Sequence, residues 1–159
     1  MSLGKVTNKS RYKVYLAGGI GGLSYGAATD WREAATKYLD EHNIDGISPM
    51  RAKEFLKGQM IDDQQEHMDV MATRNAITQR DRWDTTRCDL VILNLLDESR
   101  FSIGTCIEIG QADMARVPMI LVCQEGGEFD NHPMVSRICG FKVRSIEEAL
   151  ELAVRIFTI

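Results

Sequence analysis

Short, unbroken apolar runs that alternate with helical periodicities constrain this chain more than any other feature. The clearest run is Asp89-Leu90-Val91-Ile92-Leu93-Asn94-Leu95-Leu96. It is too continuous for a strand with one wet face and too short for a buried helix, so it reads as a strand covered on both sides. Lys13 to Ala17 is a similar run, Pro118 to Val122 another, and Phe141 to Val143 and Ile47 to Pro49 are weaker ones. Helical patterns fill the gaps. Asp30 with Glu33 forms a capping box ahead of a stripe of Trp31, Ala34, Ala35, Tyr38 and Leu39. Further helices are predicted over about Asp69 to Arg87 and Gly104 to Arg116, with a short one within Asn131 to Cys139. Ser145 with Glu148 opens a last, amphipathic helix through Leu150, Ala153 and Ile156. Strands that alternate with helices in this way call for a parallel sheet between helical layers. The expected fold is therefore α/β, a flavodoxin-like or Rossmann-like three-layer sandwich around a five-stranded parallel sheet.

A chain of 159 residues is one domain of this kind. Residues 1–10 read as a flexible terminus or a cloning remnant and 11–159 as the domain. The long polar stretch from Arg51 to Gln65 matches no element, and long connections are commonly functional or mobile. The net charge of −4 and the scatter of the basic residues argue against a nucleic-acid surface. No apolar stretch approaches the ~20 residues of a membrane span. Met1 to Tyr12 lacks the hydrophobic centre of a secretory leader. Cys88, Cys106, Cys123 and Cys139 are far apart, which suits reduced thiols in a cytoplasmic protein better than a disulfide frame or a zinc site.

Ligands of open α/β sheets bind at the carboxyl ends of the strands. Glu108 falls there, in Gly104-Thr105-Cys106-Ile107-Glu108-Ile109-Gly110-Gln111-Ala112, directly after the strongest strand. An acid among small and apolar neighbours is either paired or chemically employed. The loop after the first strand carries Gly18, Gly19, Gly21 and Gly22 around Ile20. Glycines let backbone amides approach an anion or a sugar hydroxyl. The loop matches neither the dinucleotide fingerprint, which Ser24 breaks, nor a Walker A loop. On spacing alone Asp81 reads as a solvated helix residue, with Asp84 and Asp89 as competitors. Ser102 reads as a loop residue, Cys106 as a core thiol, and His42 and His67 as exposed helix residues.

Together these pieces resemble the nucleoside 2-deoxyribosyltransferase superfamily. The likeness runs through Tyr15-Leu16-Ala17-Gly18-Gly19-Ile20, Asp81 to Leu93, Ser102-x-Gly104-x-x-x-Glu108-Ile109-Gly110-x-Ala112 and Pro118-Met119-Ile120. It implies cleavage of N-glycosidic bonds, with Glu108 as nucleophile, Asp81 assisting proton transfer at the base, and Tyr15 orienting the nucleophile. The Gly18 to Gly22 loop, Ser102 and Gly104 would bind the sugar and its 5′ substituent. The resemblance also implies a homodimer in which His132 or Met134 reaches into a neighbour's site, a small nucleoside or nucleotide as ligand, and neither metal nor cofactor. Transferases of the superfamily tend to carry an acid where Ser102 stands, and an acid would repel a 5′-phosphate. The likeness is thus closer to the hydrolases of (deoxy)nucleoside 5′-monophosphates. Those hydrolases carry an arginine in the glycine loop; here none precedes Arg32 in that loop, leaving Arg51, Arg80 or Arg100 as substitutes. Base exchange between deoxynucleosides and a non-catalytic nucleotide sensor are the alternatives. An NAD-dependent reductase fits worst.

Overall fold

The computed structural model describes residues 11–62, 67–97, 99 and 102–158. The chain runs β1 (Tyr12–Gly18), α1 (Tyr25–Glu41), β2 (Ile44–Ile47), a 3-10 turn (Glu54–Leu56), α2 (Arg74–Arg87), β3 (Leu90–Leu95), α3 (Ile103–Met114), β4 (Met119–Cys123), α4 (Glu128–Asn131), α5 (Val135–Ile138), β5 (Phe141–Val143) and α6 (Ile146–Phe157). Every pairing is parallel and the strand order is β2-β1-β3-β4-β5. This is the flavodoxin-like order, whose switch point lies between β1 and β3.

Alternation along the strands builds a layer on each face. Val14, Leu16, Leu90, Ile92, Ile120 and Val122 point towards α1 and α6, where Ala35, Leu39, Ala149, Leu150 and Ala153 meet them. Tyr15, Ala17, Val91, Leu93, Met119 and Leu121 point to the opposite face and pack on Ile109 and Ala112 of α3. The three-layer sandwich expected from the sequence is therefore present.

Boundaries shift where side chains found better partners. Ser24, not Asp30, caps α1: its Oγ accepts from the Ala27 N–H at 3.1 Å. The buried stripe of α1 is Ala28, Thr29, Arg32, Ala35 and Leu39, while Ala34 is exposed. Helix α1 also ends sharply. Asn43 adopts a left-handed φ of 61°, so β2 begins at Ile44 rather than Ile47. Gly46 is needed there, because a Cβ would lie 2.8 Å from Thr36 Oγ1 and 3.0 Å from its Cα. Helix α2 starts at Thr73, whose Oγ1 accepts from Ala76 N–H at 3.2 Å, later than the expected Asp69. In α6, Ser145 accepts from Glu148 N–H at 3.1 Å, but Glu148 reaches back to Arg144 N–H at 2.7 Å instead of Ser145. The short helix expected within Asn131 to Cys139 is α5, and α4 ends at the start of that stretch.

The polar connection after β2 is tied down. Gly22 N–H donates to Ile61 O at 2.8 Å, Ile61 N–H to Leu23 O at 2.8 Å, and Tyr25 N–H to Gln59 O at 3.0 Å. Met50, Leu56 and Ile61 join Ala28 in a small apolar cluster against Ile20 and Leu23. Residues 1–10, read as a terminus or remnant, and Arg100 lie outside the described residues, as do 63–66. None of the four cysteines is in a disulfide. No helix among the described residues is long and apolar enough to cross a membrane.

Candidate active site

Tyr15 lies in the middle of β1, and its side chain is fully buried under α3. A phenol there needs a partner for its O–H. It donates to Glu108 Oε1 at 2.7 Å. Glu108 is where it is because Ser102 starts α3: its Oγ accepts from the Thr105 N–H at 3.2 Å and the Thr105 hydroxyl at 3.0 Å. The Ile109 and Ala112 face of the helix then beds on the sheet and turns Glu108 towards the edge of β1. Helix α2 docks beside α3 through the Thr85 hydroxyl, which lies 3.1 Å from Gln111 Oε1. That docking carries Asp81 to the same place.

Asp81 and Glu108 line one cavity of about 420 Å³, together with Gly18, Ile20, Gly21, Ser102, Gly104 and Thr105. Lys53, Leu56 and Ile61 from the long connection and Arg74, Ile77 and Thr78 from α2 complete much of its wall. A smaller cavity of about 230 Å³ behind the glycine loop shares Gly18, Ile20, Gly21 and Ser102 and adds Gly19 and Trp31. A broad groove over α1 and β2, lined by Glu33, Lys37, Asp40 and Asp45 among others, lies apart from both carboxyls and opens widely to solvent.

Burial dominates the electrostatics. It pushes Glu108 up to about 7; Asp81 pushes the same way, while the Tyr15 hydrogen bond, Arg32 and Lys53 pull back. Burial also lifts Asp81 to about 6, against the pull of Lys53 and Arg80. Tyr15 is held far above the ordinary phenol range by burial and by the neighbouring Glu108, so it remains a donor. Both carboxyls thus titrate near neutrality. Two carboxyls near neutrality in one pocket suit a nucleophile and a proton donor acting together.

The structure thus gathers Tyr15, Glu108, Asp81, Gly18, Ile20, Gly21, Ser102 and Gly104. Gly22 is held instead by its φ of 77° and its bond to Ile61, next to the site rather than in its wall. His132 and Met134 line neither cavity of their own chain. His132 Nδ1 accepts from the Met134 and Val135 N–H groups at the start of α5, and Met134 is exposed. Cys106 lies outside the cavity, and burial raises its thiol above the usual range. His42 ends α1, its Nδ1 2.9 Å from Tyr38 O. His67 is not a helix residue: it precedes α2, is half-buried edge-on to Phe55 and lines the cavity.

Two of the arginines proposed as substitutes are engaged elsewhere. Arg51 pairs with the buried Asp84 at 2.6 Å, and Arg80 donates to the carbonyls of Met71 and Arg51 at 2.7 and 2.9 Å. The cations that do line the cavity are Lys53 and Arg74. Sequence reading missed both, because nothing in local spacing marks a cation that folds inward. Arg32 was missed for the same reason. It is 1% exposed, donates through Nε to Leu16 O and through Nη2 to Gly18 O, both at 3.0 Å, and through Nη1 to Ala28 O. It fixes the end of β1 and the start of the glycine loop from behind.

No curated protein sequence matches the chain. Among solved structures, a conserved protein from Enterococcus faecalis V583 is similar, with TM-score 0.61 and 19% identity over 94% of this chain and 100% of that one. So is the 2-deoxyribosyltransferase of Bacillus psychrosaccharolyticus, with TM-score 0.62 and 15% identity over 87% and 90%. A CMP N-glycosidase from Clostridium botulinum aligns with TM-score 0.56 and 17% identity over 91% and 99%. At such identities these likenesses establish the fold. The family model for nucleoside 2-deoxyribosyltransferase matches residues 14–152, nearly the whole domain and every residue of the cavity described above, and on that match the chain belongs to the nucleoside 2-deoxyribosyltransferase family.

Proposed function

We propose that the chain is an N-glycosidase of (deoxy)nucleoside 5′-monophosphates, with Glu108 as nucleophile and Asp81 as general acid. The observation that carries the chemistry is the 2.7 Å hydrogen bond from buried Tyr15 to Glu108, which lines one cavity with Asp81. Family membership supports the coarser reading, an enzyme acting on the glycosidic bond of nucleosides or nucleotides. In the first step a Glu108 carboxylate oxygen bonds to C1′ and the bond from C1′ to the base nitrogen breaks. The electron pair leaves with the base, and Asp81 delivers the proton that neutralises it. Water then attacks C1′ of the glycosyl ester, loses its proton to the Asp81 carboxylate, and frees both sugar phosphate and Glu108. The ionised carboxylate also stabilises the oxocarbenium-like character of both transition states.

Three features favour a phosphorylated substrate. Ser102 is uncharged, the N-terminus of α3 opens beside it, and Lys53 and Arg74 line the same cavity. One of the similar structures is a CMP N-glycosidase by name, which fits hydrolysis of a monophosphate on this scaffold. The same reading has two copies associate in the cytoplasm, with His132 and Met134 completing the neighbour's site.

The test is a panel of ribo- and deoxynucleosides and their monophosphates, incubated with and without a free base. Base released from monophosphates alone is the expected result. Exchange that requires the second base would mean a transferase. Wild-type protein that binds a monophosphate but never turns it over, with Glu108→Gln binding equally well, would mean a sensor.

A further inference from the structure

Lys53 is a buried cation on a connection with little regular structure. Only 6% of it is exposed, whereas lysines usually keep their heads in water. The backbone around it is braced. Ala52 takes a left-handed φ of 61°, which strains a residue with a Cβ. Arg51 pairs with Asp84 of α2 at 2.6 Å, and the Arg51 carbonyl accepts from Arg80 Nη2 at 2.9 Å. Lys53 N–H donates to Met50 O at 3.2 Å and heads the 3-10 turn. Helix α2 thus holds the chain on the N-terminal side of Lys53, and the side chain enters the cavity with Asp81 and Glu108.

The charged groups facing Lys53 are Asp81 and Arg80 from α2, Arg32 from α1 and Glu108 from α3. Arg32 and Arg80 give their hydrogen bonds to backbone carbonyls, and of the two carboxyls Lys53 acts first on Asp81, while Arg32 outweighs it at Glu108. Leu56, Ile61 and Ile77 supply an apolar wall that cannot stabilise a negative charge. An enclosed carboxyl pair in such surroundings resists ionisation unless a cation is enclosed with it.

We infer that Lys53 is a positioning residue of the reaction: its ammonium is the enclosed counter-charge of the carboxyl pair, standing with Asp81 and Glu108 in one cavity. The inference rests on the reading of that pair as nucleophile and acid. It also gives the strained Ala52 a role, since a relaxed backbone would aim the next side chain elsewhere.

Lys53→Met removes the charge and keeps most of the volume. Both limbs of the pH profile of kcat/KM for base release should move up by about one unit, as expected when a close opposite charge is lost. At the acid end kcat/KM then falls about tenfold, and on the alkaline side it rises by a similar factor. Lys53→Arg should keep the wild-type limbs. A readout that needs no turnover is the pair of ¹³C carboxyl resonances of Asp81 and Glu108, assigned by their loss in Asp81→Asn and Glu108→Gln. Both titration midpoints should rise in Lys53→Met, that of Asp81 the more. If no nucleotide is cleaved, the glycosidase reading fails while this titration still tests Lys53. A folded Lys53→Met protein, or Lys53→Gln should the first not fold, with unchanged limbs and unchanged midpoints of both carboxyls would overturn the inference.

Discussion

At the scale of single residues, Glu108 is costly to keep ionised. Its carboxyl titrates near 4.5 when solvated and at about 7 in the folded chain. Between those values the native state binds more protons than the unfolded one, so stability declines as pH rises through the window and the deficit is complete above it. Glu108→Gln removes the titration and keeps an acceptor for Tyr15. It should be more stable than the wild type at pH 8 by about 3 kcal/mol, with a correspondingly higher Tm, and match it near pH 4.5. Thermal unfolding at the two pH values checks this, and equal Tm values at pH 8 would contradict it. Tyr15 acts in the opposite sense, since its donated hydrogen bond lowers Glu108. Tyr15→Phe should therefore move the acid limb of base release to higher pH. It should also reduce kcat by about 10–100-fold, the worth of one hydrogen bond to a charged group. A fall in kcat with no movement of the limb would assign Tyr15 to packing alone.

At the scale of elements, α3 depends on Ser102 twice. Its hydroxyl caps the helix that carries Glu108, and the same side chain lines both cavities beside the glycine loop. These roles separate by substitution. Ser102→Ala removes the cap and should cost ~1 kcal/mol of stability, read by urea unfolding. Ser102→Asp replaces one good cap with another, so stability should hold. Its new negative charge should raise KM for a monophosphate at least tenfold and leave the matching nucleoside nearly unaffected. Equal effects on both substrates would remove Ser102 from the phosphate's surroundings. The glycine loop is an element of the same kind. Gly18 pairs with Asn94 in the sheet, where a Cβ would come 3.0 Å from the Asn94 carbonyl oxygen, so glycine is needed before the loop has begun to bind anything.

At the scale of the whole molecule, His132 and Met134 lie outside their own chain's cavity, and Ile103, Ile107, Met114 and Met134 are exposed apolar residues. If copies share sites, mixing Glu108→Gln with the double variant His132→Ala and Met134→Ala should restore activity that neither has alone. Random pairing would give about a quarter of the wild-type rate, because half the dimers are mixed and one of their two sites is intact. No recovery after co-refolding would mean self-contained sites. The sequence alone determined the class of fold. Apolar runs such as Leu90 to Leu95 cannot be hydrated, and their alternation with helical stripes leaves a covered parallel sheet as the solution. It also made Glu108 legible, since an acid in an apolar segment at a strand's end is rare. Boundaries were less legible, because Ser24 outcompeted Asp30 as a cap and Asn43 turned the chain early, local choices settled by what each end packs against. Only tertiary structure brought Lys53 and Arg74 to the cavity, buried Arg32 behind β1 and assigned Arg51 to Asp84. Periodicity records which face of an element is apolar. Whether a charge folds inward depends on partners distant in sequence, and so the counter-ions of a buried carboxyl pair appear only once the sheet, the helices and the connection after β2 have closed around it.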